Sequence, residues 1–145
     1  MKREIAHQWF FPHPPQIVWD YLTRPELLSQ WLMENDIKPI VGHKFEFRSK
    51  PKMEIGYNGI NYCEILEVIP FKQLTYSWKA GPGNGKFTLD TIVTWTLVEK
   101  NAGTELNLKH TGFKAVENDI IYKMMHDGWD KHVNGLAERI NKDKK

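Results

Sequence analysis

The chain has 145 residues, 41% of them hydrophobic, 12% aromatic and 26% charged, and a formal net charge of +2. A domain of this size buries roughly 70% of the surface its unfolded chain exposes, so a packed core is within reach and intrinsic disorder is excluded. The balance of 20 basic against 18 acidic residues excludes the concentrated basic patch that phosphate-backbone binding needs, so nucleic acid is not an expected partner. Lys142, Lys144 and Lys145 near the C terminus read as a solvated tail. The single cysteine, Cys63, excludes an intramolecular disulfide and any multi-cysteine metal site. No apolar run approaches the roughly 18 residues of a membrane helix. The basic start, Met1 to Trp9, has no apolar segment behind it, so a secretory signal peptide is not expected either. One cytoplasmic domain over residues 1–145 is the expectation.

Strict alternation opens the chain. Ile5, His7, Trp9 and Phe11 fall on one side of a predicted strand over residues 3–11, which ends at Pro12-His-Pro-Pro15 because prolines remove ladder donors. Pro14 and Pro15 suit the first turn of a helix, and Ile17, Val18, Tyr21 and Leu22 supply its apolar stripe. Thr23 reads as the N-cap of a second short helix with Glu26 as its capping-box partner, and Leu27, Leu28 and Trp31 continue the stripe. The stretch from Asn35 to Val41 carries Pro39 and little periodicity, so it reads as a connection.

Strands follow one another through the middle. Phe45 and Phe47 form the apolar side of a short strand after Gly42, and turns are expected at Lys50-Pro-Lys52 and Gly56-Tyr-Asn-Gly59. Residues 60–69 form another strand. Cys63 and Ile65 share one parity and Leu66 and Val68 the other, which suggests a bulge and leaves the facing of Glu64 and Glu67 open. Leu74, Tyr76 and Trp78 alternate cleanly. After the glycine-rich loop 81–85, Phe87, Leu89, Thr91, Val93, Trp95 and Leu97 form the longest period-two run. Asn101-Ala-Gly103 is a turn, and Thr104, Leu106, Leu108 and His110 alternate beyond it. From about Asn118 to Ile140 the period changes to three or four, with Ile121, Met125, Trp129, Val133, Leu136, Ala137 and Ile140 on one face of a long helix. Gly128 inside that helix costs about 1 kcal/mol relative to alanine and reads either as room for a close approach by something opposite or as a tolerated imperfection.

The element order is strand, two short helices, a run of antiparallel strands and a long terminal helix, and only that helix is long enough to cover the apolar face of the sheet. This α+β arrangement resembles the helix-grip fold of the START/Bet v 1-like (SRPBCC) superfamily: a curved antiparallel sheet of about six strands wrapped around a long C-terminal helix. More specifically it resembles the C-terminal domain of the activator of Hsp90 ATPase. The residues that carry the likeness are Pro14-Pro15-Gln-Ile-Val-Trp-Asp-Tyr-Leu22, then Pro25-Glu26 and Trp31. To these are added Glu64 to Trp78, Thr104 to Phe113, and Gly128-Trp129 with its trailing helix. The resemblance implies a cavity between the sheet and the last helix, with the two short helices near its mouth.

In such a cavity, six tryptophans, seven phenylalanines and five tyrosines supply large rigid walls with polar edges. Trp78 and Trp95 are expected in the wall, Met125 and Trp129 in the lid, and His110 as the convergent polar group. Trp31, Phe45, Phe47, Cys63, Tyr76 and Val133 complete the candidate contacts. Non-enzymatic binding of a hydrophobic or amphipathic small molecule, a lipid or an aromatic metabolite, is the leading expectation. One alternative is a chaperone-associated interaction module, marked by apolar surface outside the pocket, although the likeness covers only one domain of that activator. Another is a cyclase, hydrolase or isomerase that uses His110 as its weak catalytic candidate.

Other chemistry finds little support. His7 and His13 lie on the first strand and in a proline turn. His126 and His132 are six apart on the helix and lack the i, i+4 spacing of a zinc pair, and Asp127 and Asp130 are expected to face water, so neither a metal nor a cofactor is expected. Cys63 reads as a buried small hydrophobe. No Gly-x-Ser-x-Gly elbow occurs, and the loop 81–85 lacks P-loop spacing and leads into a strand instead of a helix.

Overall fold

Period-two alternation places the apolar halves of seven strands on one face of a single antiparallel sheet. The structure is a computed structural model that describes residues 2–114 and 119–144. The strands are β1 (Lys2–Phe11), β2 (Glu34–Asn35), β3 (Lys44–Arg48), β4 (Ile60–Ile69), β5 (Gln73–Ala80), β6 (Leu89–Lys100) and β7 (Gly103–Lys114). The helices are α1 (Pro15–Thr23), α2 (Pro25–Leu28) and α3 (Asp119–Asp143). The order across the sheet is β1-β7-β6-β5-β4-β3-β2, so every neighbour except β1 follows in sequence. The first strand pairs with the last, with Ile5 opposite His110 and Trp9 opposite Leu106. The sheet curves around the long helix α3, as the helix-grip likeness implies.

The inner face carries Leu106, Leu108 and His110 of β7, Val93 and Trp95 of β6, Leu74, Tyr76 and Trp78 of β5, and Phe45 and Phe47 of β3, all buried. Helix α3 buries Trp129, Val133, Leu136 and Ile140 against them. Removing these side chains from water drives the association of helix and sheet, at about 1.5–3 kcal/mol for each large side chain fully buried. Aromatic edges interlock in this layer: the Trp129 ring meets Trp95 at 5.4 Å and Trp78 at 5.6 Å between centroids, both edge to face, the arrangement that the ring quadrupoles favour.

Several expectations need correction. The seventh strand, β2, lies in the stretch read as a connection, and Ile37 just beyond it is buried. Thr23 does not cap α2. Its Oγ1 donates back to the Trp19 carbonyl at 2.8 Å, and Arg24 is the N-cap, with extended backbone and no side-chain cap bond. The cause is Pro25, whose ring forces the residue before it out of the helical region. Phe87 precedes β6 and is exposed on the outer side, where its ring meets Tyr62 and the Lys79 ammonium. Helix α3 continues to Asp143, so Lys142 belongs to its last turn, where a cation suits the negative end of the helix dipole. Asn118 and Lys145 lie outside the described residues.

The suspected bulge is present between Ile65 and Glu67. It leaves Asn61, Cys63 and Ile65 inside and turns Leu66 outward, while Glu64 is half-buried and Glu67 exposed. No carboxylate of β4 is therefore buried unpaired. A second bulge, not anticipated, falls at Gly112, where β1 skips from Thr111 to Phe113. It resets the parity of β7 so that His110 and Phe113 are both buried.

Gly112 has φ +103°, and a Cβ there would stand 3.1 Å from the Asp90 carbonyl and 3.2 Å from Thr91 Cα. Gly112→Ala is expected to cost about 1–3 kcal/mol in chemical denaturation, through left-handed strain and the clash with a neighbouring strand. Unchanged stability would mean that the bulge relaxes without loss.

Candidate functional site

A cavity of about 340 Å³ opens between one end of the sheet and the first half of α3, at the small end of ligand-sized pockets. Trp78, Ala80 and Leu89 form its sheet wall, and Ile121, Met124, Met125, Gly128, Trp129 and His132 its helix wall. Leu32 and Met33 close it behind α2, and the segment from Ser49 to Tyr57 forms its rim. That segment is a small closed unit. Lys52 and Tyr57 exchange backbone bonds of 2.8 and 3.1 Å around a single 3-10 turn, Met53–Ile55, which ends at Gly56 with φ +71°. Gly128 does not serve a close approach, contrary to the sequence reading. Nothing stands within 4 Å of a Cβ built on it, and the space it leaves is the cavity.

Behind the cavity runs a buried chain of hydrogen bonds from helix to sheet. Trp129 Nε1–H donates to His110 Nδ1 at 3.1 Å. Thr91 Oγ1 lies 2.7 Å from His110 Nε2 and donates its own proton to the Trp78 carbonyl at 2.9 Å. An indole N–H can only donate and a carbonyl can only accept, so the tautomer is determined: Nδ1 is bare and Nε2 carries the proton. His110 is fully buried, and burial lowers its pKa to about 3. The ring is neutral, and both nitrogens are committed.

A second network reaches the wall itself. Trp78 Nε1–H donates to Asn61 Oδ1 at 3.0 Å, which fixes the amide orientation. Asn61 Nδ2 then donates to the Phe47 carbonyl at 3.3 Å and to the Tyr57 hydroxyl oxygen at 2.7 Å. The Tyr57 oxygen accepts this bond, and the Ser49 side chain is a second hydrogen-bond partner of the same hydroxyl. Burial raises the pKa of this hydroxyl and keeps it protonated. On the helix, His132 Nδ1 lies 3.1 Å from the Trp31 carbonyl and must donate to it, which leaves Nε2 bare in the neutral ring. Burial lowers the pKa of His132, the Trp31 carbonyl raises it and Lys131 lowers it.

Trp78, Met125 and Trp129 line the cavity among the residues named from sequence. Trp31, Phe45, Phe47, Tyr76, Trp95 and Val133 are buried in the core that backs it. His110 stands one ring layer further in, 6.0 Å from both Trp78 and Trp129 between centroids. Cys63 is buried outside the wall, and burial raises its thiol pKa well above the usual range, which suits a packed hydrophobe. The sequence reading missed Lys52, Tyr57, Asn61 and His132. Lys52 and Tyr57 sit in turns, where no periodicity marks an inward side chain, whereas Asn61 shares the inward parity of Cys63 and Ile65 in β4, a signal that could have found it. His132 was dismissed on pair spacing alone.

The remaining histidines serve structure. His7 Nε2 meets the His126 carbonyl at 2.9 Å, and His13 Nε2 meets Asn141 Oδ1 at 2.8 Å. Both tie the N-terminal segment to α3. Asp130 is exposed and accepts from Trp9 Nε1 at 2.9 Å. Among the described residues no group of three or more His, Cys, Asp or Glu could hold a metal ion, and no helix is long and apolar enough to cross a membrane.

His110→Ala is expected to destabilise the fold by about 3 kcal/mol, because it empties core volume and leaves the Trp129 N–H without a buried acceptor. The histidine also links stability to pH. Between about pH 6.5 and 3 the unfolded chain binds a proton at this residue that the folded chain does not. Stability should therefore fall on acidification through that window, by on the order of 1 kcal/mol per pH unit. Denaturation midpoints from pH 7 to 4 should fall less steeply in the variant than in the parent, and equal slopes would contradict the neutral buried ring.

Comparison with known proteins agrees with this architecture. The chain is similar to protein MLL2253 from Mesorhizobium loti, at 32% identity over 97% of this chain and 98% of the other, with a TM-score of 0.85. It is similar to Bacillus halodurans protein BH1534, at 27% identity, 95% and 96% coverage and a TM-score of 0.73. CalU16 from Micromonospora echinospora shares the fold at 24% identity, covering 96% of this chain and 76% of that one, with a TM-score of 0.75. No curated protein matches the chain. The family model described as activator of Hsp90 ATPase homolog 1-like protein matches residues 12–141. Given that span and the sheet gripping α3, the chain belongs to the activator of Hsp90 ATPase homolog 1-like family.

Proposed function

We propose that this protein binds an apolar or amphipathic small molecule in the cavity between the sheet and α3, without transforming it chemically. The observation that carries this reading is a cavity of about 340 Å³ walled by Trp78, Trp129, Leu89, Ile121 and Met125, with few polar groups among them. Rigid aromatic walls with a small number of placed donors and acceptors are what a ligand pocket requires. The glycine at 128 supports it too. In mid-helix it costs about 1 kcal/mol relative to alanine, and it keeps side-chain volume out of the cavity. A catalytic reading finds less support. His110 has both nitrogens committed, Cys63 stands outside the wall, and among the described lining residues none is Asp or Glu.

Native mass spectrometry of the freshly purified protein, compared with its denatured mass, is expected to show a retained compound. Quenching of Trp78 and Trp129 fluorescence by hydrophobic ligands is the companion measurement. Gly128→Leu fills the cavity from a helix position that tolerates a side chain, so it should fold normally and weaken such binding by at least about tenfold. Binding unchanged in that variant, or absent from the parent throughout a ligand screen, would overturn the reading.

A second reading, a chaperone-associated interaction module, has one observation in its favour beyond the family name. Ile40 and Val41 are 61% and 62% exposed, and Leu66, Ile69 and Phe71 are each 43% exposed. The Gly42 N–H bond to the Ile65 carbonyl brings Val41 beside Leu66, away from the cavity. Apolar surface of this kind suits a protein contact. Capture of purified Hsp90 by the parent protein, lost in a Leu66→Lys/Ile69→Lys variant, is the expected outcome. Failure of the parent to retain Hsp90 under mild conditions would remove this reading.

A further inference from the structure

The cavity wall is asymmetric in charge. Lys52 and Tyr57 are cross-strand partners that exchange both backbone bonds, which puts their side chains on the same side of the rim, and both line the cavity. Among the described residues no ion pair holds the Lys52 ammonium. The Tyr57 oxygen accepts from Asn61 Nδ2, and the Ser49 side chain is a second hydrogen-bond partner of the same hydroxyl, so Ser49 and Tyr57 form one hydroxyl pair at the rim. The bare Nε2 of His132 belongs to the opposite, helical wall. No Asp or Glu is among the described residues of the lining to oppose these groups. Below them the wall is Trp78, Trp129, Leu89 and Met125.

From this arrangement we infer that the ligand is a weak organic acid with a compact apolar or aromatic tail, its acid head held at the rim by Lys52, Tyr57 and His132. The inference rests on the small-molecule reading above and names its ligand class. The Tyr57 O–H and the Lys52 ammonium donate to one oxygen or both. His132 Nε2 shares the single remaining proton with the head, as carboxylic acid beside imidazole or as carboxylate beside imidazolium. An ammonium head would meet a like charge at Lys52. An alcohol would satisfy one donor but leave the Lys52 charge uncompensated. The tail enters between Trp78 and Trp129, where the space left by Gly128 admits it.

The test uses three probes with one tail, 4-phenylbutyrate, 4-phenylbutanol and 4-phenylbutylamine, titrated by calorimetry and tryptophan fluorescence at pH 7. The carboxylate is expected to bind at least about tenfold more tightly than the alcohol, and the amine most weakly, since charge-assisted bonds form only with the first. Tyr57→Phe and His132→Gln should each reduce the ratio of carboxylate to alcohol affinity several-fold. Lys52 is exposed, so Lys52→Glu should fold, and it should invert the order in favour of the amine. Equal affinities for all three heads in the parent, or an unchanged order in Lys52→Glu, would overturn the acid-head inference while leaving the binding reading intact. Failure of every probe to bind the parent would overturn both.

Discussion

The structure depends on one buried chain of hydrogen bonds, Trp129 to His110 to Thr91 to the Trp78 carbonyl. It spans α3, β7, β6 and β5, and it is the only polar crossing of the helix-to-sheet layer among the bonds described here that has every member fully buried. Apolar contact alone would let the helix slide or rotate over a greasy sheet at small cost. A buried indole N–H that must find an acceptor penalises such movement, because an unmade bond there exposes the full desolvation cost. The chain therefore sets the height and rotation of α3, and with them the position of the Met125, Trp129 and His132 wall.

Cavity and core are two consequences of one geometry. The sheet curves around α3, and the two halves of the helix meet it differently. Below Trp129 the helix packs closely through Val133, Leu136 and Ile140. Above it Gly128 and the open ends of β4 and β5, at Asn61 and Ala80, line the cavity. The segment from Ser49 to Tyr57 then forms a rim that carries polar groups. Dense packing on one side of Trp129 supplies the rigidity that an open pocket on the other side requires.

The polar groups of the wall are oriented by partners that can only donate or only accept. Trp78 Nε1–H dictates the Asn61 amide, the amide dictates the Tyr57 proton, and the Trp31 carbonyl dictates the His132 tautomer. Each of these groups is presented in one hydrogen-bonding state before anything arrives, which lowers the ordering cost of recognition. Trp78, Trp95 and Trp129 thus do more than fill volume: their indoles set the direction of neighbouring protons.

The sequence by itself determined the element order, the inward faces of β1, β5, β6 and β7, the bulge in β4 and the long gripping helix, because period-two and period-3.6 patterns report directly which side chains leave water. It also carried the family likeness, and it placed Trp78, Met125 and Trp129 in the region that the cavity occupies. Tertiary structure decided the rest. Whether an inward residue lines a void or packs a core depends on where along the sheet the helix packs against it, which no local pattern encodes. Trp95 and Trp78 share the same alternation, yet only Trp78 reaches the cavity. Lys52 and Tyr57 meet through turn geometry, Asn61 reaches Tyr57 from β4, and His110 turned from a candidate contact into an internal strut because both its partners came from other elements. Periodicity measures burial along one segment, whereas a site is made by segments meeting.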